Sequence, residues 1–234
     1  MNPDRGVYLR WFGKFCVSLQ SPAGVHILID PKVGVLDPAR WGFPDVGLVL
    51  LSHGNADHVG VDLILGCSQV VCGVYGDMWN TGEVEQDDVT VTIIAGAYRD
   101  AVQGGMRGRT ALISLSAGGI RFLHVGGLGH ILDANLMAQS RGHDVLLLPF
   151  SEGSGLTALD AAEVVHQIAP RMIVSPHMGP TGQSVVPPFG DFLDVGFLAK
   201  TRVEHELELC VDSLPLAPEL VVLWRSDVPL DPGH

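Results

Sequence analysis

The apolar positions fall into many short runs broken by Gly, Pro and polar residues, a pattern that predicts strands more than long helices. Residues 8–12, 15–19 and 25–30 are β-rich, and Gly13-Lys14 and Ser21-Pro22-Ala23-Gly24 separate them as turn signals. Together they predict an antiparallel meander. Residues 46–51 (VGLVLL) are continuously apolar and too short for a helix, so they predict a strand buried on both faces. Further strands are expected at 69–73 and 89–94. Residues 111–116 and 120–124 flank Ala117-Gly118-Gly119 and read as a hairpin.

The second half alternates differently. Residues 132–141 have helical spacing, and 145–149 form a buried strand. Thr157 can cap a helix over 158–168, with Asp160 in its first turn and Leu159, Ala162, Val165 and Ile168 as its apolar positions. Pro170 ends that helix, 171–175 is another strand, and 219–224 reads as a terminal strand. Pro187-Pro188 marks a loop, and 226–234 is expected to fray. Strands first and strand–helix–strand units second, with no repeat or linker, predict one α/β domain over residues 1–234, with helices layered on buried sheets.

Composition supports this picture and narrows the partners. The chain has 234 residues, 47% of them hydrophobic, enough for a core without disulfides. No stretch reaches membrane-spanning length and no signal peptide opens the chain, so a cytoplasmic protein without a membrane contact is expected. The four cysteines, Cys16, Cys67, Cys72 and Cys210, form no CxxC pair and are expected to be mostly buried thiols. A net charge of −12 with 14 Lys+Arg argues against nucleic acid and leaves a small-molecule substrate or ligand as the expected partner. The high apolar fraction also fits a homo-oligomer.

The chemistry concentrates after the buried strand, in Leu51-Ser52-His53-Gly54-Asn55-Ala56-Asp57-His58. Two imidazoles and a carboxylate in six residues at a strand end can converge on one ion, and a polar turn capped by Asn55 and Asp57 is the competing explanation. The loop resembles the HxHxDH signature of the metallo-β-lactamase superfamily. The chain is further similar to its lactonase-like branch, which includes ascorbate-6-phosphate lactonase-type and related metal-dependent hydrolases. Trp11-Phe12-Gly13-Lys14, Ile27-Leu28-Ile29-Asp30-Pro31, the stretch from Phe122 to His130 and Ile173-Val174-Ser175-Pro176-His177 carry the likeness in order. It implies a four-layer αββα metallo-β-lactamase-type sandwich and a metal site with His53, Asp57, His58 and His177 as ligands.

The resemblance also implies losses. Asn55 and Arg99 stand where ligand histidines are expected, Gly127 where a metal-bridging aspartate is expected, and Lys14 replaces a turn histidine. Asn is a poor ligand for a transition metal, and Arg stays protonated and cannot be one. One of two ion sites is therefore expected to be missing, with Arg99 or Lys14 supplying positive charge there beside Asp57. Asp57, His58 and His177 remain as a three-ligand set. Three readings stay open: a mononuclear hydrolase of lactone, ester or phosphoester substrates, a metal-free pseudoenzyme that binds a ligand or serves in an assembly, and a mononuclear non-haem iron oxidoreductase. The expected cofactor is one divalent ion, zinc first and manganese or iron as alternatives, or none. On the first reading Asp57, Arg99 and Lys14 carry catalysis.

Around this set, Asp30, Asn55, His124 and His130 are expected as supporting groups, with His124 or His130 able to replace the missing aspartate. His26 is expected packed or at an edge, and His143, His166, His205 and His234 at the surface. Glu152 is either a pocket carboxylate or a solvated loop charge. No GxSxG elbow surrounds Ser52, which excludes serine hydrolysis at this loop.

Overall fold

The computed structural model describes residues 6–13, 16–31, 46–54, 69–101, 107–148, 156–176, 198 and 200–223. In chain order the strands are β1 (Val7–Gly13), β2 (Cys16–Gln20), β3 (His26–Ile29), β4 (Leu48–Leu51), β5 (Gln69–Cys72), β6 (Val74–Tyr75), β7 (Met78–Trp79), β8 (Gly82–Gln86), β9 (Val89–Ala101), β10 (Arg107–Ala117) and β11 (Ile120–His124). Helix α1 (Ala134–Ser140), β12 (Val145–Leu147), helix α2 (Ala158–Ile168), β13 (Met172–Pro176), β14 (Lys200–Glu204), β15 (Glu206–Leu209) and β16 (Glu219–Leu223) follow.

Two sheets organise these strands. One runs β15-β1-β2-β3-β4-β5, antiparallel as far as β3 and parallel from β3 to β5. The other runs β14-β16-β13-β12-β11-β10-β9-β8, parallel from β14 to β11 and antiparallel beyond. β6 and β7 pair separately as a short hairpin.

The strand period of two separates two apolar layers. Ile27, Ile29, Leu48 and Leu50 of the first sheet meet Ile113, Leu115, Phe122 and Leu147 of the second in the core between the sheets. The alternate residues Leu112, Leu123, Leu146 and Ile173 face away and pack against Leu136 of α1 and Ala161, Val165 and Ile168 of α2. The sheet–sheet–helix stack is the α/β sandwich the alternation implied. Leu28 and Val49, which alternate with the inter-sheet residues, are buried as well. Strands β3 and β4 are thus apolar on both faces, as parallel strands must be.

Local signals explain the helix starts. Asp133 accepts from the Leu136 N–H at the head of α1, and Thr157 and Asp160 form a reciprocal capping box on α2. The buried face of α2 is Ala161, Val164, Val165 and Ile168, spaced i, i+3, i+4, i+7, with Ala162 buried beside it. Leu159 lies off that stripe and is exposed, which corrects its placement among the core positions.

Other expectations are also corrected. β9 does not stop at 94 but continues to Ala101, carried through Gly96 at φ +105° and register shifts against β10. His143 is buried rather than at the surface: Ser114 Oγ lies 2.8 Å from its Nε2, and its Nδ1 is 2.7 Å from the Ser140 carbonyl. Burial, and then the Arg121 charge, hold this imidazole below its ordinary range against the opposing pull of Ser140 and Asp144. Of the three described cysteines only Cys16 is buried; Cys72 is half-buried and Cys210 exposed. Strand β14 is rich in charge and carries no clear apolar alternation, whereas β15 alternates Glu-Leu-Glu-Leu with both leucines buried, a short signal that sequence reading missed. Among the described residues no helix is long and apolar enough to cross a membrane.

Candidate functional site

The C-terminal ends of β3, β4 and β11 place three segments side by side: Asp30, Ser52-His53-Gly54, and His124 to Gly127. Loops at the carboxyl ends of parallel strands are where such sheets position ligand groups. Ser52, just after β4, links the two sheets, because its carbonyl accepts from the Ala111 N–H of β10 at 2.7 Å.

Asp30 closes β3 in a left-handed turn, φ +47°, a conformation Asp tolerates better than most residues. Its carboxyl group is fully buried and accepts from the Ser52 N–H at 2.7 Å and the Ser52 hydroxyl at 2.6 Å. Burial pushes the Asp30 carboxyl up to about 6, with the two Ser52 hydrogen bonds pulling the other way. The single Ser52 proton is committed to Asp30. The 2.7 Å contact between Ser52 Oγ and His53 Nδ1 therefore has the imidazole donating. That leaves the lone pair of His53 on Nε2, the tautomer required of a ligand or acceptor at that atom.

The two downstream histidines are held differently. The Gly126 N–H donates to His124 Nδ1 at 3.1 Å, so the ring is neutral there and its proton sits on Nε2. Asp30 Oδ2 is 3.9 Å from the same Nδ1, too long for a hydrogen bond. His130 accepts from the Tyr98 N–H at Nε2, 3.0 Å, and donates from Nδ1 to the Ile131 carbonyl, 2.7 Å. Both of its nitrogens serve the backbone, which corrects the expectation that His130 can stand in for the missing aspartate. Its role is to tie β9 to the segment after β11.

Gly126 has to be glycine twice over: φ is +56°, and a Cβ there would lie 2.6 Å from Thr110 Oγ1 and 2.7 Å from Ser52 Cβ. Gly127 follows, its N–H donating to Thr110 Oγ1 at 3.2 Å. The space above Gly127 belongs to Arg99. A Cβ at 127 would stand 2.8 Å from Arg99 Cδ, 3.0 Å from Arg99 Cγ and 3.8 Å from His53 Cε1. The guanidinium continues over Gly108, where a Cβ would lie 2.7 Å from one terminal nitrogen and 2.9 Å from Nε. Arg99 Nε is buried with no hydrogen-bond acceptor among the described residues, a state that costs about 1–3 kcal/mol unless something fills it.

These contacts decide how far the residues fit metal ions. Of the residues the first ion site would draw on, His53 is the one donor among the described residues, and the Arg99 stem lies where a Cβ at position 127 would stand. Among the described residues no three His, Cys, Asp or Glu side chains cluster as a metal site. Lys14, Asn55, Asp57, His58, Glu152 and His177, with the loop at 187–188 and the tail, lie outside the described residues. As a donor set, Asp57, His58 and His177 suit one divalent ion.

Sequence reading missed Ser52 as the link between Asp30 and His53, and missed Gly108 and Thr110 altogether. The signal for Ser52 was its place after a buried strand beside the Asp30 turn. Gly108 and Thr110 lie in a strand whose register shifts no periodicity reveals.

A family model described as the beta-lactamase superfamily domain matches residues 8–177. A Methanoregula boonei protein named a metal-dependent hydrolase is 24% identical over 220 residues, covering 88% of this chain and 93% of that protein. Among solved structures, a Thermotoga maritima member of the metallo-β-lactamase superfamily superposes with a TM-score of 0.66 at 21% identity, over 93% of this chain and 98% of that one. Igni18, a metallo hydrolase from Ignicoccus hospitalis, gives a TM-score of 0.58 at 19% identity over 87% of this chain and 99% of its own. These likenesses agree on the fold.

Proposed function

Because the chain belongs to the family of beta-lactamase superfamily domains, we propose that it is a metal-dependent hydrolase working with one divalent ion where a two-ion centre would otherwise sit. The observation that supports the one-ion reading is the course of Arg99 across Gly127, where a Cβ at position 127 would stand 2.8 Å from Arg99 Cδ. Relatives named metal-dependent hydrolases support the reaction class.

On this reading Asp57, His58 and His177 hold the ion, zinc first. When bound, the ion supplies Lewis acidity toward an acyl or phosphoryl oxygen of a lactone, ester or phosphoester. The chain's own groups do the rest. Asp30 and Ser52 hold His53 with a lone pair on Nε2, so His53 can add a fourth donor or accept a proton from water. Arg99 offers positive charge where the reacting group becomes more negative, with Lys14 as a second cation of that kind.

Metal analysis of protein purified without added metal tests this. About one zinc or manganese per chain supports the proposal. Two ions bound in the pocket overturn the one-ion reading, no ion favours a ligand-binding pseudoenzyme, and iron favours an oxidoreductase.

A further inference from the structure

Arg99 is accommodated by two glycines, its stem above Gly127 and its guanidinium above Gly108, and a side chain at either position would displace it. The chain has 26 acidic residues against 14 basic ones, yet no ion pair to Arg99 occurs among the described residues, and its Nε is buried with no acceptor. Arg109, one residue after Gly108, is committed elsewhere: its guanidinium stacks 4.9 Å from the Trp79 ring and reaches Asp77 at 3.5 Å. Arg109 Nε is likewise buried with no acceptor among the described residues, but Arg99 differs in having no ion pair there and in its two-glycine seat close to His53.

We propose that Arg99 is an oxyanion-binding residue, receiving a carboxylate or phosphate group of the substrate on its guanidinium. A planar fork of donors, already fixed on its two-glycine seat, binds such a group through paired hydrogen bonds with little ordering left to do. The orphaned Nε is one of the two donors of that fork. The net charge of −12 repels anions at long range, so anion binding depends on this local cation. On the hydrolase reading the chain therefore selects anionic substrates; the anion site itself does not depend on that reading.

The test uses metal-stripped full-length protein, so its outcome is separate from the metal content. Inorganic phosphate and acetate are titrated by calorimetry at constant ionic strength into the wild type, Arg99→Met and Arg109→Met. Binding of either probe by the wild type, weakened at least about tenfold in Arg99→Met and unchanged in Arg109→Met, is the expected result. Which probe binds tells a tetrahedral from a planar oxyanion. Equal binding by the wild type and Arg99→Met, or no binding of either probe to the wild type, overturns the proposal. Should Arg99→Met fail to fold, the Arg99 Nε–H resonance of the wild type decides: it must shift saturably with the anion, and a shift no larger than chloride causes refutes the site.

Discussion

The stem of Arg99 occupies the space a side chain on Gly127 would need: a Cβ at 127 would stand 2.8 Å from Arg99 Cδ. The two positions are therefore coupled. Gly127→Asp alone should destabilise the fold by about 1–3 kcal/mol, since a packed neighbour must move off its rotamer. In an Arg99→Ala background most of that cost should vanish. Urea unfolding of the four proteins of this cycle measures the coupling; additive effects would show that Arg99 moves aside freely and that the glycine is not required by it.

Asp30 predicts a pH dependence of stability. Its folded value of about 6 lies above its ordinary 3.8, so the folded state holds the proton more tightly than the unfolded state. The stability this contributes is fully present below about pH 4 and is lost as pH rises through about 6, a swing on the order of 3 kcal/mol. Asp30→Asn cannot titrate. The stability of wild type relative to Asp30→Asn should therefore fall between pH 4 and pH 6.5 or so, then level off. A difference that stays flat, or rises with pH, across urea unfolding series would show that folding does not tighten the hold of Asp30 on its proton.

Much of the architecture was legible because apolar runs and turn residues are local signals. The strand at 46–51, the hairpin around Gly118-Gly119 and the Thr157 cap all follow from neighbours in sequence, and the structure holds β4, the β10–β11 turn and α2 there. Arg99 was singled out as a lost ligand and a source of positive charge, but its seat was not legible. Its seat depends on the extension of β9 past Gly96 and on Gly108 in a partner strand, which are matters of register and not of local pattern. His130 illustrates the converse. A histidine near a suspected site reads as a ligand, but only three-dimensional contacts reveal that both nitrogens are taken by backbone groups.

Ser52 should matter more than its chemistry suggests. It donates to Asp30 and receives from His53, so Ser52→Ala leaves one buried Asp30 oxygen and His53 Nδ1 without these partners. The expected loss is about 1–3 kcal/mol of stability. Imidazole nitrogen shifts should report the His53 proton on Nδ1 in the wild type and a tautomer mixture in the variant. A wild-type His53 protonated on Nε2 would reverse the direction of the relay.

The metal reading separates His177 from His130. If Asp57, His58 and His177 hold the ion, His177→Ala should leave the chain unable to retain zinc after dialysis, and added zinc should no longer raise its Tm. Ligand-linked stabilisation amounts to about 2.7 kcal/mol when free metal is a hundred times Kd, so its loss is readily seen in a thermal melt. His130→Ala should behave oppositely. It removes the contacts to the Tyr98 N–H and the Ile131 carbonyl, lowering Tm in the metal-free state, yet it should bind zinc with the wild-type stoichiometry. Loss of zinc binding in His130→Ala with its Tm preserved would place His130 among the ligands after all and undo the assignment of its two nitrogens to the backbone.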